Sequence, residues 1–249
     1  MKKLFIRLLL VAIVLVVLAL GVGIFFLGSI VKAGVEKVGP SVTGVPVKLD
    51  SATVSLFGGS GTLKGFVVGN PEGFQSTEAI KVGIVALSVV PKSVFSDKVI
   101  IHSIRVEAPE ISYELSLKGS NLGKILDNVS RGANKPAGET KPPGQPTDKK
   151  SSDAGKKLQV DEFVITGAKM HFGATGFGSA PVIIPEIRLI NLGQGPEGIT
   201  PAELTQLVIS ALKDAAAKAA AENPGKLGGA ATDALKKGAT GLGDLLKKK

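Results

Sequence analysis

Val45-Pro46-Val47-Lys48-Leu49-Asp50-Ser51-Ala52-Thr53-Val54-Ser55-Leu56 opens on strict alternation and then changes phase. Val45, Val47 and Leu49 share one side of an extended chain, opposite Pro46, Lys48 and Asp50. The apolar side is then carried on by Ala52, Val54 and Leu56. A slip of one residue inside an extended run predicts a bulge or bend in a strand with one apolar face. Phe57-Gly58-Gly59-Ser60-Gly61 supplies turn residues, and Thr62 to Gly69 returns as a second strand ended by Asn70-Pro71-Glu72-Gly73.

The same reading extends along the chain. Ala79 to Val90 and Lys98 to Val106 are rich in Val and Ile and read as strands, joined by a loop or single helical turn at Pro91–Asp97. Alternation is cleanest where Ile111, Tyr113, Leu115 and Leu117 oppose Ser112, Glu114, Ser116 and Lys118. Asn121 is placed to cap a short helix with Leu122, Ile125, Leu126 and Val129 on one side. Strand character resumes at Leu158–Thr166. Ala168, Met170, Phe172 and Ala174 follow after Gly167, as expected of a partner strand turning there. Pro181 to Asn191 reads as a further strand with Ile183, Ile187 and Leu189 on one face. Thr200, Pro201 and Glu203 form a helix start, with the helix running to about Glu222 before Asn223-Pro224-Gly225. Its apolar cluster is Leu204, Leu207, Val208, Ala211 and Leu212.

Three stretches stand apart from this core. Leu8 to Val31 carries no charge and as a helix would span about 36 Å, enough to cross a hydrocarbon layer with modest tilt. Lys2, Lys3 and Arg7 precede it, which places the N-terminus in the cytoplasm and the rest of the chain across the membrane. A cleaved signal peptide, with small residues at Ala19-Leu20-Gly21, is the rival reading; the apolar run continuing through Ile24-Phe25-Phe26-Leu27 suits an anchor better. Residues 132–157 are Pro, Gly, Lys, Thr, Ser and Asp with almost no large apolar group, the composition of a disordered linker. Residues 223–249 form a basic tail whose glycines oppose a helix and favour a frayed, flexible end over a lipid-bound one. The expected organisation is therefore an anchor at 1–31, a first β segment with a short helix at 42–131, the linker, a second β segment with a C-terminal helix at 158–222, and the tail.

Composition narrows the chemistry. The chain of 249 residues has no Cys, which excludes thiol nucleophiles, disulfides and Cys-ligated metals, and it has no Trp and two His. His102 and His171 lie far apart in sequence without carboxylates at ligand spacing. No P-loop, dinucleotide fingerprint or nucleophile elbow is present, and Asp161-Glu162 would fall on opposite faces of a strand. Asn128-Val129-Ser130 matches a glycosylation sequon, a pattern short enough to arise by chance. The net charge of +9 is spread over linker, tail and strand edges without aromatics to stack bases, so anionic head groups suit it better than nucleic acid. No enzyme, no cofactor and no metal is expected. The fold expected is mostly β: one curved antiparallel sheet shaped as a groove, plus one or two helices. An apolar trough of that kind suits acyl chains, with Tyr113, Leu115, Leu117, Val164, Phe172 and Ile187 near the lipid-facing side.

Several segments resemble a known family. Leu49 to Gly59 after a lone anchor, Gly61 to Phe74, Ile104-Arg105-Val106-Glu107-Ala108-Pro109-Glu110-Ile111, Ile187 to Gly193 and Gly198 to Glu203 are together similar to the N-terminal part of AsmA-like proteins of Gram-negative envelopes. The likeness covers roughly residues 5–125 and 158–212. It implies an inner-membrane-anchored, single-pass protein with a periplasmic β groove, membrane phospholipids as partners, and a role in lipid transport and outer-membrane biogenesis. Large members of that family are long enough to bridge the periplasm; a chain of this length implies a short groove working with other envelope proteins. A second likeness covers residues 42–118, where Gly65-Phe66-Val67-Val68-Gly69-Asn70-Pro71 resembles the LEA14-like water-stress β-sandwich. That would imply a structural or protective sandwich with no lipid ligand.

Overall fold

The computed structural model describes residues 26–116, 119–133, 156–174 and 177–222. The linker at 134–155, the tail from 223 and residues 1–25 of the expected anchor lie outside that range. Among the described residues no helix is long and apolar enough to cross a membrane.

Among the described residues ten strands form one hydrogen-bonded, curved half-barrel sheet. They are β1 (Val47–Ser55), β2 (Ser60–Gly69), β3 (Glu78–Val89), β4 (Lys98–Glu107), β5 (Glu110–Ser116), β6 (Gly119–Ser120), β7 (Lys157–Thr166), β8 (Lys169–Ala174), β9 (Phe177–Ile183) and β10 (Ile187–Leu192). A 3-10 turn at Pro91–Phe95 joins β3 to β4. The helices are α1, over residues 26–43, α2 (Asn121–Ala133) and α3 (Pro201–Glu222). Nine of the strands run in six lanes: β1, β2, β3, then β4 continuing as β5, β7 continuing as β8, and β9 continuing as β10; the two-residue β6 pairs with the end of β5.

This corrects two sequence expectations, the strand directions and the turn at Gly167. The sheet is mixed rather than antiparallel, because β4 pairs with β7 and β5 with β8 in parallel. Of the three described helices, α2 and α3 stand where two were expected, and α1 begins inside the segment expected as the N-terminal anchor and runs past it to residue 43. The second β segment, beginning at 157, completes the first sheet, so the single sheet expected includes both segments. Gly167 does not turn a hairpin either: β7 and β8 are consecutive stretches of one lane, each bonded to other strands.

The phase slip first seen in β1 recurs in every lane at one level of the sheet. Buried or half-buried positions step by three residues at Leu49/Ala52, Leu63/Phe66, Val82/Val85, Val106/Pro109, Ile165/Ala168 and Ile184/Ile187. The register aligns these steps: Leu49 faces Phe66 and Ala52 faces Leu63, Leu63 faces Val85, Val85 faces Val106, Val106 faces Ile165, and Ile165 faces Ile187. The two residues inside each step point outward together, and they are polar or small in almost every lane, as in Asp50-Ser51, Lys64-Gly65 and Thr166-Gly167. Gly65 (φ 63°), Ala108 (φ 45°) and Gly167 (φ 64°) take left-handed conformations there. Two outward residues in succession bend a strand inward, and six such bends in register crease the whole sheet. A shorter second crease crosses three lanes at His102-Ser103, Asp161-Glu162 and Ile190-Asn191, so Asp161 and Glu162 share the outer face rather than opposing one another.

Helices fill the inner side. Leu122, Ile125, Leu126 and Val129 of α2 are buried against the sheet in one continuous core. α3 packs across α2, using Ile209, Leu212, Ala216 and Ala219. The alanine-rich half of α3 is thus a contact surface, and Leu207 points outward, 42% exposed, against its expected place in the apolar cluster. The Thr200/Glu203 capping box forms as expected, with Glu203 Oε2 accepting from Thr200 N (2.6 Å) and Thr200 Oγ1 accepting from Glu203 N (3.1 Å).

α1 closes the exposed edge of β1. It runs antiparallel to the strand, with Lys32 Nζ donating to Asp50 O (3.1 Å) and Leu49 N donating to Glu36 Oε1 (3.1 Å). Gly28 and Gly39 permit this approach: a Cβ at Gly28 would stand 2.0 Å from Ala52 O, and one at Gly39 2.7 Å from Val47 Cβ. Covering an edge strand removes a template for aberrant pairing.

Candidate functional site

The residues expected to face lipid do not form one open wall. Tyr113 and Phe172 are adjacent in the parallel β5–β8 ladder, with ring centroids 5.7 Å apart, and both lie buried in the core cluster that α2 shares. Burial pushes the Tyr113 hydroxyl up from its ordinary value, with a hydrogen bond to Ser120 pulling the other way. Ile187 is buried beyond the crease, and Leu115 is half-buried. Val164 is a correction. It is buried, yet on the outer face, because Phe163 and Ile165 take the inner positions; Arg105 and Arg188 flank it in register and both reach Glu162, at 3.2 and 2.6 Å. Ile183 is likewise outward, 76% exposed, because Val182 and Ile184 are the inner pair. Leu117 lies outside the described residues.

Behind the aromatic pair a buried polar latch ties three segments together. Glu114 Oε1 accepts from Asn70 Nδ2 (2.9 Å) and Ser76 N (2.7 Å), and its Oε2 from Gln75 N (2.7 Å). Asn121, fully buried, accepts from Glu114 N (3.0 Å) and Leu122 N (2.8 Å) and donates to Asn70 Oδ1 (2.9 Å) and Ser112 O (2.6 Å). Burial alone would push the Glu114 carboxyl up; hydrogen bonds from Ser76, from the Gln75 and Ser76 amides and from Asn70 outweigh it and hold the group below the usual carboxylate range. A carboxylate satisfied from every side is built to hold a loop, not to move a proton. Capping of α2 falls instead to Ser120, whose Oγ accepts from Gly123 N (3.0 Å).

The outer face carries His102 Nδ1 against Asp161 Oδ2 at 3.0 Å, a pairing across two lanes that sequence separation concealed. Among the described residues no three His, Cys, Asp or Glu stand close enough to hold a metal ion.

What remains is a strip of apolar surface that the helices leave partly open. Beyond the crease, the inner positions of the central lanes are sealed: Ile101, Ile104, Val106, Val160, Phe163 and Ile165 are all buried. In the same rows, Ala52 and Val54 of β1, Leu63 of β2, and Leu87 and Val89 of β3 are only half-buried. Leu63, Leu87 and Val89 pack against the core, so the strip is its exposed margin. It ends at the β1–β2 turn, beside which Phe57 and Phe95 stand 92% and 81% exposed. Comparison with protein-family models, curated proteins and solved structures gave no match.

Proposed function

We propose that this chain is a membrane-anchored, non-enzymatic envelope protein of the AsmA-like kind, periplasmic in bulk, that handles phospholipid by receiving an acyl chain on the inner face of its sheet. The observation that carries this reading is the half-buried strip of Ala52, Val54, Leu63, Leu87 and Val89, of which the last three pack against the core. Apolar surface left at a margin gains from covering by hydrocarbon at about 25 cal/mol per Å² removed from water. The uncharged sequence Leu8–Phe25 enters α1 at the end of the sheet that carries the β1–β2 turn. A lipid leaving the bilayer beside that segment would meet the strip first.

A second reading is favoured by a different observation. Tyr113, Phe172 and Ile187 are covered by the chain's own helices, as in a scaffold that binds no ligand. The sandwich implied by the LEA14-like resemblance needs two facing sheets, whereas these ten strands form one. Native mass spectrometry of the detergent-extracted full chain separates the two readings. Bound phospholipid, lost in Leu63→Asp with Leu87→Asp, is expected for the acyl-chain site; a bare protein under the mildest extraction supports the scaffold.

A further inference from the structure

Two phenylalanines are spent where folding gains nothing from them. Phe57 occupies the tip of the β1–β2 turn and Phe95 the end of the Pro91–Phe95 turn, and each is more than four-fifths exposed. The two turns are neighbours: Val89 N donates to Gly59 O (2.6 Å), and a Cβ on Gly59 would stand 3.2 Å from the Pro91 ring. Lys92 lies in the second turn, and Lys156 Nζ donates to Val94 O beside it; Asp97 is the acid of the same loop. The direction of α1 gives this end its meaning. Along β1 the helix passes Val47 at Gly39, Leu49 at Glu36, Asp50 at Lys32 and Ala52 at Gly28, so its first described residue, Phe26, is at the Phe57 end. The sequence upstream is the uncharged run from Leu8.

We infer that the end of the sheet bearing Phe57 and Phe95 is a membrane-docking rim, with both rings seated at the head-group boundary of the bilayer that holds the N-terminal segment. Exposed apolar rings at the tips of two adjacent turns, with Lys92 in the second, match that boundary, where a phenyl ring leaves water and an ammonium meets lipid phosphate. Two seated rings and one anchoring segment define an orientation, with the sheet standing on the membrane and the half-buried strip facing it. The inference rests on the reading that the chain is membrane-held and adds which end faces the lipid.

The chain has no tryptophan, so single replacements report cleanly. Full-length F57W, F95W and I183W are reconstituted into phosphatidylethanolamine–phosphatidylglycerol vesicles containing lipid brominated on its acyl chains. Ile183 is the control: it is exposed and lies in the row of Lys48, across the crease from the rim. Blue-shifted emission and bromolipid quenching are expected for F57W and F95W, with I183W emitting as in water and quenched by acrylamide. Should all three respond alike while the protein floats with vesicles, the rim is refuted and the anchor stands. A full chain that fails to float refutes the membrane-held reading itself.

Discussion

The two sides of the crease carry equally apolar inner faces, yet they are finished differently. On the α2 side, Val47, Val68, Ile111, Met170 and Val182 are buried in the core that α2 joins, and α2 is itself pinned by the Asn70–Glu114–Asn121 latch. On the turn side only the central lanes are sealed, and the first three keep a half-buried margin that ends in two exposed rings. The difference shows that patterning a strand face does not decide how completely it is covered. That depends on where helices of limited length come to rest.

This contrast can be broken by mutation. Ile125→Ala, inside the sealed side, should cost about 2–5 kcal/mol, whereas Leu87→Ala on the margin should cost about 1 kcal/mol, read from equilibrium unfolding of the detergent-solubilised full chain. Equal losses would mean the margin is ordinary core. Asn121→Ala should cost about 2–3 kcal/mol by removing the buried partner of the Glu114 and Leu122 amides, of Asn70 Oδ1 and of the Ser112 carbonyl. The Glu114 carboxyl is held below its ordinary range in the fold, so its contribution is complete above that range and fades as pH falls through the lowered folded value. Thermal scans across acid pH should therefore show a loss of melting temperature that is shallower in Glu114→Gln; identical slopes would remove Glu114 from the latch's electrostatics.

The crease gives a sharper pair. Gly167→Ala forces a side chain into a left-handed residue (φ 64°) and should cost about 1–2 kcal/mol. Gly83→Ala, with open space around the new Cβ and no positive φ, should be neutral or slightly stabilising. A similar cost at both would show that backbone conformation is not what sets the bend. The smallest effect belongs to the rim: Phe57→Ser with Phe95→Ser should shift unfolding by no more than about 0.5 kcal/mol, since neither ring is packed. A large loss would make them structural.

Much of this was legible in advance. Strand positions, the turn at Pro91, the helix beginning near Asn121 and the Thr200 capping box all follow from spacing and cap chemistry over a few residues. The slip between Leu49 and Ala52 announces a bend, whereas its recurrence at Ile165/Ala168 reads in sequence as a hairpin because Gly167 serves equally in a turn or a bulge. Val164 and Ile183 lie on the outer face, against the sequence pattern, for the same reason: one extra residue in a strand reverses every side chain beyond it. In the candidate site, the latch was hidden because Asn70, Glu114 and Asn121 are distant in sequence and each alone reads as a turn, solvent-face or cap residue.

By itself the order of residues determined which segments are extended or helical and that one side of each strand is oily, because those properties are encoded in neighbours within a turn or two. Only the assembled fold decided that Lys98–Glu107 lies parallel to Lys157–Thr166, that six bends fall on one line, and which part of the oily side stays uncovered. Partners so far apart along the chain leave no periodic trace, since their match depends on the summed packing of all lanes and helices at once.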